Sequence, residues 1–94
     1  MKDDEFEWDD NKAAQNFADH GVSFETARNA FSDPFGIELL DDRENYFEDR
    51  FILIAMAAGT LLTIAYTDRN GRYRLISART ATKNEQNAYF QQKL

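Results

Sequence analysis

Five basic residues fall between Arg69 and Lys83, in RNGRYRLISARTATK, with no acid among them. A guanidinium can grip a phosphate through two parallel N–H bonds. One set against a reacting phosphate stabilises the extra negative charge of a phosphorane. The same cations are also what an internal salt-bridge network would use, since the chain holds seventeen acids. Both roles stay open for each arginine. His20 is the single histidine. It is either a general acid or base near neutral pH or a cap on the helix it follows. Glu85 reads as a helix-capping residue or a base, and Tyr89, one turn later, as a core ring with a wet hydroxyl or a proton donor. One histidine and no cysteine leave only carboxylates for a metal, and runs such as Asp3-Asp4-Glu5 lack calcium-loop spacing. No glycine-rich phosphate loop, nucleophile elbow or dinucleotide fingerprint occurs, so neither a metal nor an organic cofactor is expected.

The elements that must position these groups belong to one domain spanning residues 1–94, a length sufficient for a single core. Eight phenylalanines suggest a core of large rings, with Phe6 and Trp8 among them. The absence of cysteine fits a reducing compartment. The acidic start MKDDEFEWDD is unlike a signal peptide, and the longest apolar run, Phe51 to Ala58, is too short for a bilayer. A soluble cytoplasmic protein with no membrane partner is expected. Charge is segregated: residues 1–47 hold thirteen acids and four bases, whereas residues 48–94 hold four acids and seven bases. Binding of a nucleic acid would therefore be local and salt-sensitive.

Phe6 to Asp9 reads as a short first strand. Asp9-Asp10-Asn11 offers cap oxygens for a helix over about Lys12 to Asp19, with Ala13, Ala14 and Phe17 at helical spacing and Gly21 past its end. Ser23 caps a second helix carrying Phe24, Ala27, Ala30 and Phe31 on one stripe, stopped by Asp33-Pro34. The apolar faces of both short helices are expected to pack on a sheet. Strands follow over Gly36 to Leu40, Phe51 to Met56, Leu61 to Tyr66 and Tyr73 to Ala78, with a polar loop from Asp41 to Glu48 and turns at Ala57-Ala58-Gly59 and Asn70-Gly71. Thr82-Lys83-Asn84-Glu85 fits a capping box opening a last helix. The predicted class is α+β, an antiparallel sheet meander with two N-terminal helices and one C-terminal helix. Strict alternation places Arg72, Arg74 and Ile76 on one face of the last strand and Tyr73, Leu75, Ser77 and Arg79 on the other.

The order of FEWDDNKAAQNFADHGVSFETA, FSDP, RFILI, LLTIAYTDR and RLISARTATKNEQNAY resembles the BrnT family, toxins of type II toxin–antitoxin modules, over nearly the whole chain. The resemblance implies a RelE-like ribonuclease fold that cuts RNA without a metal, by attack of the ribose 2′-OH on the adjacent phosphate, and so halts translation. It also implies a BrnA-type antitoxin, through which alone the protein would meet DNA. The matching motifs carry over His20, Arg69, Arg79, Glu85 and Tyr89 as catalytic residues and Arg50 and Lys83 as RNA contacts. The chain departs from the pattern at Ala18-Asp19, where family members have basic residues, at Ala55, where they read glycine, and at Thr60, where they read arginine. An attenuated protein that engages its antitoxin without cleaving RNA is the alternative.

Overall fold

In the computed structural model, which describes residues 1–42 and 48–92, five strands form one sheet in the order β1-β5-β4-β3-β2. Along the chain these are β1 (Phe6–Glu7), α1 (Asp10–His20), α2 (Phe24–Ala27) running into a 3-10 turn (Arg28–Ser32), β2 (Ile37–Asp41), β3 (Arg50–Ala57), β4 (Thr60–Arg69), β5 (Arg72–Thr80) and α3 (Lys83–Phe90). The α+β class and the three helices match expectation, and β2 to β5 form the antiparallel meander. The sheet as a whole is mixed, because β1 runs parallel to β5. Phe6 lies beside Tyr73 and Glu7 beside Arg74, where a ring contact and an ion pair fix the register. This first strand is shorter than predicted because Asp9 leaves it to cap α1, accepting the Lys12 N–H. Of the predicted polar loop, Asp41 ends β2, and residues 43–47 lie outside the described residues.

Local chemistry sets the connections. Both hairpin turns hold two residues with positive φ, Ala58 (51°) with Gly59 (77°) and Asn70 (54°) with Gly71 (81°). That geometry matches the twist of the flanking strands. Gly21, at φ 71°, closes α1 by donating its N–H to the Phe17 carbonyl. Ser23 caps α2, and Thr82 and Glu85 form the predicted reciprocal capping box on α3.

The sheet has two covered faces. On one, Leu53, Ala55, Leu62, Ile64, Tyr66, Leu75 and Ala78 form the main core with Trp8, Phe24, Ala27 and Ala30 from the helical side. On the other, Ile54, Leu61 and Ala81 pack with Tyr89 of α3. β5 carries a bulge: Ala65 pairs with Ser77 and Tyr66 with Leu75, so Ile76 is the extra residue. One unpaired residue reverses the alternation beyond it. β4 keeps regular register with β3, so Thr63, Ala65, Thr67 and Arg69 share a face, and so do their partners Arg79, Ser77, Arg74 and Arg72. Alternation alone separated Arg79 from Arg72 and Arg74; the bulge brings all three to the α3 face.

The rotation of α1 also differs from expectation. Its buried residue is Asn16, whose amide donates to the Val22 and Ala78 carbonyls at 3.0 and 2.8 Å and accepts the Ala78 N–H at 3.0 Å. β1 covers β5 only at Tyr73 and Arg74, so Asn16 supplies the partner that Ala78 would otherwise lack. Locked in this way, the helix turns Phe17 outward to 57% exposure.

Candidate functional site

Arg79 leaves β5 on the α3 face, and Glu85 meets it from the first turn of α3. The contact is bidentate, with Arg79 Nη1 donating to Glu85 Oε1 at 2.7 Å and Nη2 to Oε2 at 2.9 Å. Oε1 also accepts the Thr63 hydroxyl at 2.9 Å and the Thr82 N–H at 2.8 Å. The Arg79 guanidinium, reinforced by the Thr82 and Thr63 donors against a desolvation cost, takes the Glu85 carboxyl down to about 2. Glu85 is therefore an ionised acceptor, and the capping box doubles as the clamp on Arg79. The Arg79 side chain remains 39% exposed, so its outer edge faces solvent.

Tyr89 lies at the other end of α3. Its hydroxyl donates to Asp33 Oδ2 at 2.6 Å, and the same carboxylate accepts the Met56 N–H at 2.8 Å and, through Oδ1, the Phe35 N–H at 2.9 Å. Hydrogen bonding to Asp33, with burial, pushes the Tyr89 hydroxyl up to about 12. Burial acts to raise the Asp33 carboxyl, but the Tyr89, Met56 and Phe35 donors outweigh it and leave the group below its ordinary value. Asp33 was legible in the sequence only as part of a helix stop. An aspartate two residues before a free N–H in a proline turn is the signal for its local bond, whereas its pairing with Tyr89 spans 56 positions.

His20 stands elsewhere. It lines a cavity of about 290 Å³ with Ser23, Thr26, Thr60 and Thr80, on the helical side of the sheet. Thr80 links the two regions along the chain, since Arg79 and Thr80 point to opposite faces of β5. Arg69, at the β4–β5 turn, is ion-paired with Glu48. Lys83 is exposed at the start of α3. Arg50 pairs in register with buried Asp41 across β2 and β3. Further along the same sheet face come Thr67, Arg74 and Glu7, with Arg74 Nη1 donating to Glu7 at 2.9 Å. Arg72 donates to the Asp3 carbonyl. The structure thus brings together Arg79, Glu85 and Tyr89 around α3, places Arg50 on the same face, and leaves His20 and Arg69 apart from them.

The departures from the family pattern fall in two places. Ala55 is fully buried on the helical side, where its Cβ would come within 3.3 Å of a Cβ added at Gly36. It belongs to the main core and does not intrude on Arg79. Thr60 is on the rim of the His20 cavity, and Ala18 and Asp19 are exposed beside it on α1. Among the described residues, no three His, Cys, Asp or Glu side chains converge as a metal-ligand set. No helix among them is long and apolar enough to cross a membrane.

A fixed cation, partly exposed on a sheet face, can hold a phosphate, whereas the exposed imidazole of His20 stands on the other side of the sheet. Residues 8–85 match the family model described as "Ribonuclease toxin, BrnT, of type II toxin-antitoxin system". The matched segment contains His20, Arg50, Arg69, Arg79, Lys83 and Glu85 and ends before Tyr89. No curated protein matches the chain. The fold that carries the Arg79–Glu85 clamp is therefore that of a ribonuclease toxin: the chain belongs to the BrnT family of type II toxin–antitoxin systems.

Proposed function

We propose that the whole chain, residues 1–94, is one RelE-like toxin domain that works in the cytoplasm as a metal-independent endoribonuclease and thereby stops translation. The observation that carries this reading is Arg79, fixed by Glu85 and still solvent-accessible on the face it shares with Arg50 and Arg74. In the reaction the 2′-oxygen attacks the adjacent phosphorus, its proton passes to a base, and the 5′-oxygen leaves with a proton. The products are a 2′,3′-cyclic phosphate and a 5′-hydroxyl. Arg79 neutralises the charge of the phosphorane. Glu85 positions Arg79; at about 2 its carboxyl is a poor proton acceptor. His20, on the helical side of the sheet, stands across from Arg79 and takes no part in proton transfer, so both protons exchange with solvent. Arg50, Arg69 and Lys83 contact flanking phosphates. Tyr89 holds α3 in place. A BrnA-type antitoxin neutralises the toxin and supplies any contact with DNA.

The test is incubation of purified protein with RNA, with and without chelator. Fragments ending in 2′,3′-cyclic or 3′-phosphate are expected in both, and Arg79→Ala is expected to abolish them. Intact RNA from protein shown to be folded would overturn the proposal.

One observation favours a second reading, an attenuated module that only engages its antitoxin. Arg28, Arg69, Arg74 and Arg79 are each ion-paired to an acid of the same chain. Growth arrest on expression, relieved in Arg69→Ala or Arg79→Ala while the partner still co-purifies, supports the ribonuclease. Harmless expression with intact partner binding supports the module.

A further inference from the structure

Of the apolar stripe on α1, Ala13 packs against the main core but Ala14 and Phe17 do not. Asn16 takes their place, and Phe17 is left 57% exposed with Ala14 also on the surface. These residues border a groove of about 460 Å³ between α1 and α2, whose floor includes Trp8, Ala13 and Phe24 and whose rim carries Asp10 and Glu25. Phe17 and Ser23 also line the His20 cavity, so the two hollows adjoin and form one furrow along the helical side. The groove is an apolar trough with acids on its rim and no cation among the described residues that line it. Asp10 makes a 3.2 Å ion pair with the Met1 ammonium yet is 81% exposed, so its charge is weakly held; Glu25 is exposed.

We propose that this groove is a docking site for a cationic amphipathic segment of a protein partner, which seats apolar side chains beside Phe17 and sets Lys or Arg against Asp10 and Glu25. Charge selects the occupant. Thirteen of the seventeen acids lie in residues 1–47, so the same groove of a second copy in a two-fold dimer would bring like charge, and so would a nucleic acid. An exposed aromatic flanked by acids suits instead the helix-in-groove mode of recognition. The site lies on the opposite side of the sheet from Arg79, so docking there would leave the Arg79 face open, and the proposal stands whether or not RNA is cut.

Trp8, the single tryptophan, sits in the groove and reports on its occupancy. The probe is a synthetic Leu/Lys peptide with its leucines on one helical face. The control is the same composition scrambled so that no such face exists. The expected result is a saturable change in Trp8 fluorescence with the amphipathic peptide, amide NMR shifts at Ala13, Ala14 and Phe17, and weakening with salt. Phe17→Ser and Glu25→Lys should each reduce affinity by about tenfold or more. Both positions are exposed, so folding is retained, and circular dichroism verifies this. Equal binding of the scrambled peptide, unchanged affinity in Phe17→Ser, or shifts confined to the sheet face would overturn the proposal. So would sedimentation showing a dimer of the protein alone that Phe17→Ser dissolves, because the occupant would then be a second copy.

Discussion

Arg79 and Glu85 act as a unit, which changes what their substitution tests. Glu85→Gln keeps one carbonyl acceptor for Thr63 and Thr82 but removes the charge, so the loss in stability at neutral pH should be about 1–2 kcal/mol by urea denaturation. The sign with pH follows from the folded carboxyl lying near 2 against an ordinary 4.5. The stabilisation is complete above 4.5 and disappears as pH falls from there toward 2. The gap between wild type and Glu85→Gln should therefore close over that window, and a gap that persists at pH 2 would show that charge is not its source. Tyr89→Phe removes one donor from Asp33 and leaves the Met56 and Phe35 N–H groups in place. A cost of about 1–2 kcal/mol is expected in the same measurement. RNA cleavage, if present, should survive Tyr89→Phe and fail in Arg79→Ala, which separates holding α3 from contacting the phosphate.

At the scale of elements, α1 depends on one polar residue. Asn16→Ala leaves the Ala78 N–H, the Ala78 carbonyl and the Val22 carbonyl short of a buried partner. A loss of about 2–3 kcal/mol is expected, with hydrogen exchange at Ala78 accelerating more than at Ile64. A change under 0.5 kcal/mol would show that the helix is held by packing instead. The same residues explain what was legible in advance. The capping box at Thr82 and Glu85, the Asn70-Gly71 turn and the strand cores announce themselves within a few positions, because their physics is local. The bulge at Ile76 and the role of Asn16 do not, since both depend on partners elsewhere in the chain, Ala78 being 62 positions from Asn16. That is why alternation misplaced Arg79 and why α1 was expected to turn Phe17 inward. Asp33 was missed for the same reason. The clamp residues Arg79 and Glu85 were visible as types, but their direct contact was not.

For the molecule as a whole, acids are set against the arginines that RNA would need. Glu7, mostly buried beside Arg74, is the clearest case. Glu7→Gln should raise affinity for single-stranded RNA several-fold at low salt, read by fluorescence anisotropy, with the difference shrinking as salt rises. No change would mean that Arg74 lies outside the RNA path. A last consequence concerns crowding of one molecule against another. Among the described residues no strand neighbours the outer rim of β5 beyond Arg74, and bare rims recruit strands from other copies into aggregates. Asn16 blocks this by occupying the donor and the acceptor of Ala78 with a side chain that cannot propagate a ladder. At high concentration, loss of that amide should therefore appear first as insolubility, and Asn16 guards the protein's capacity to remain dispersed.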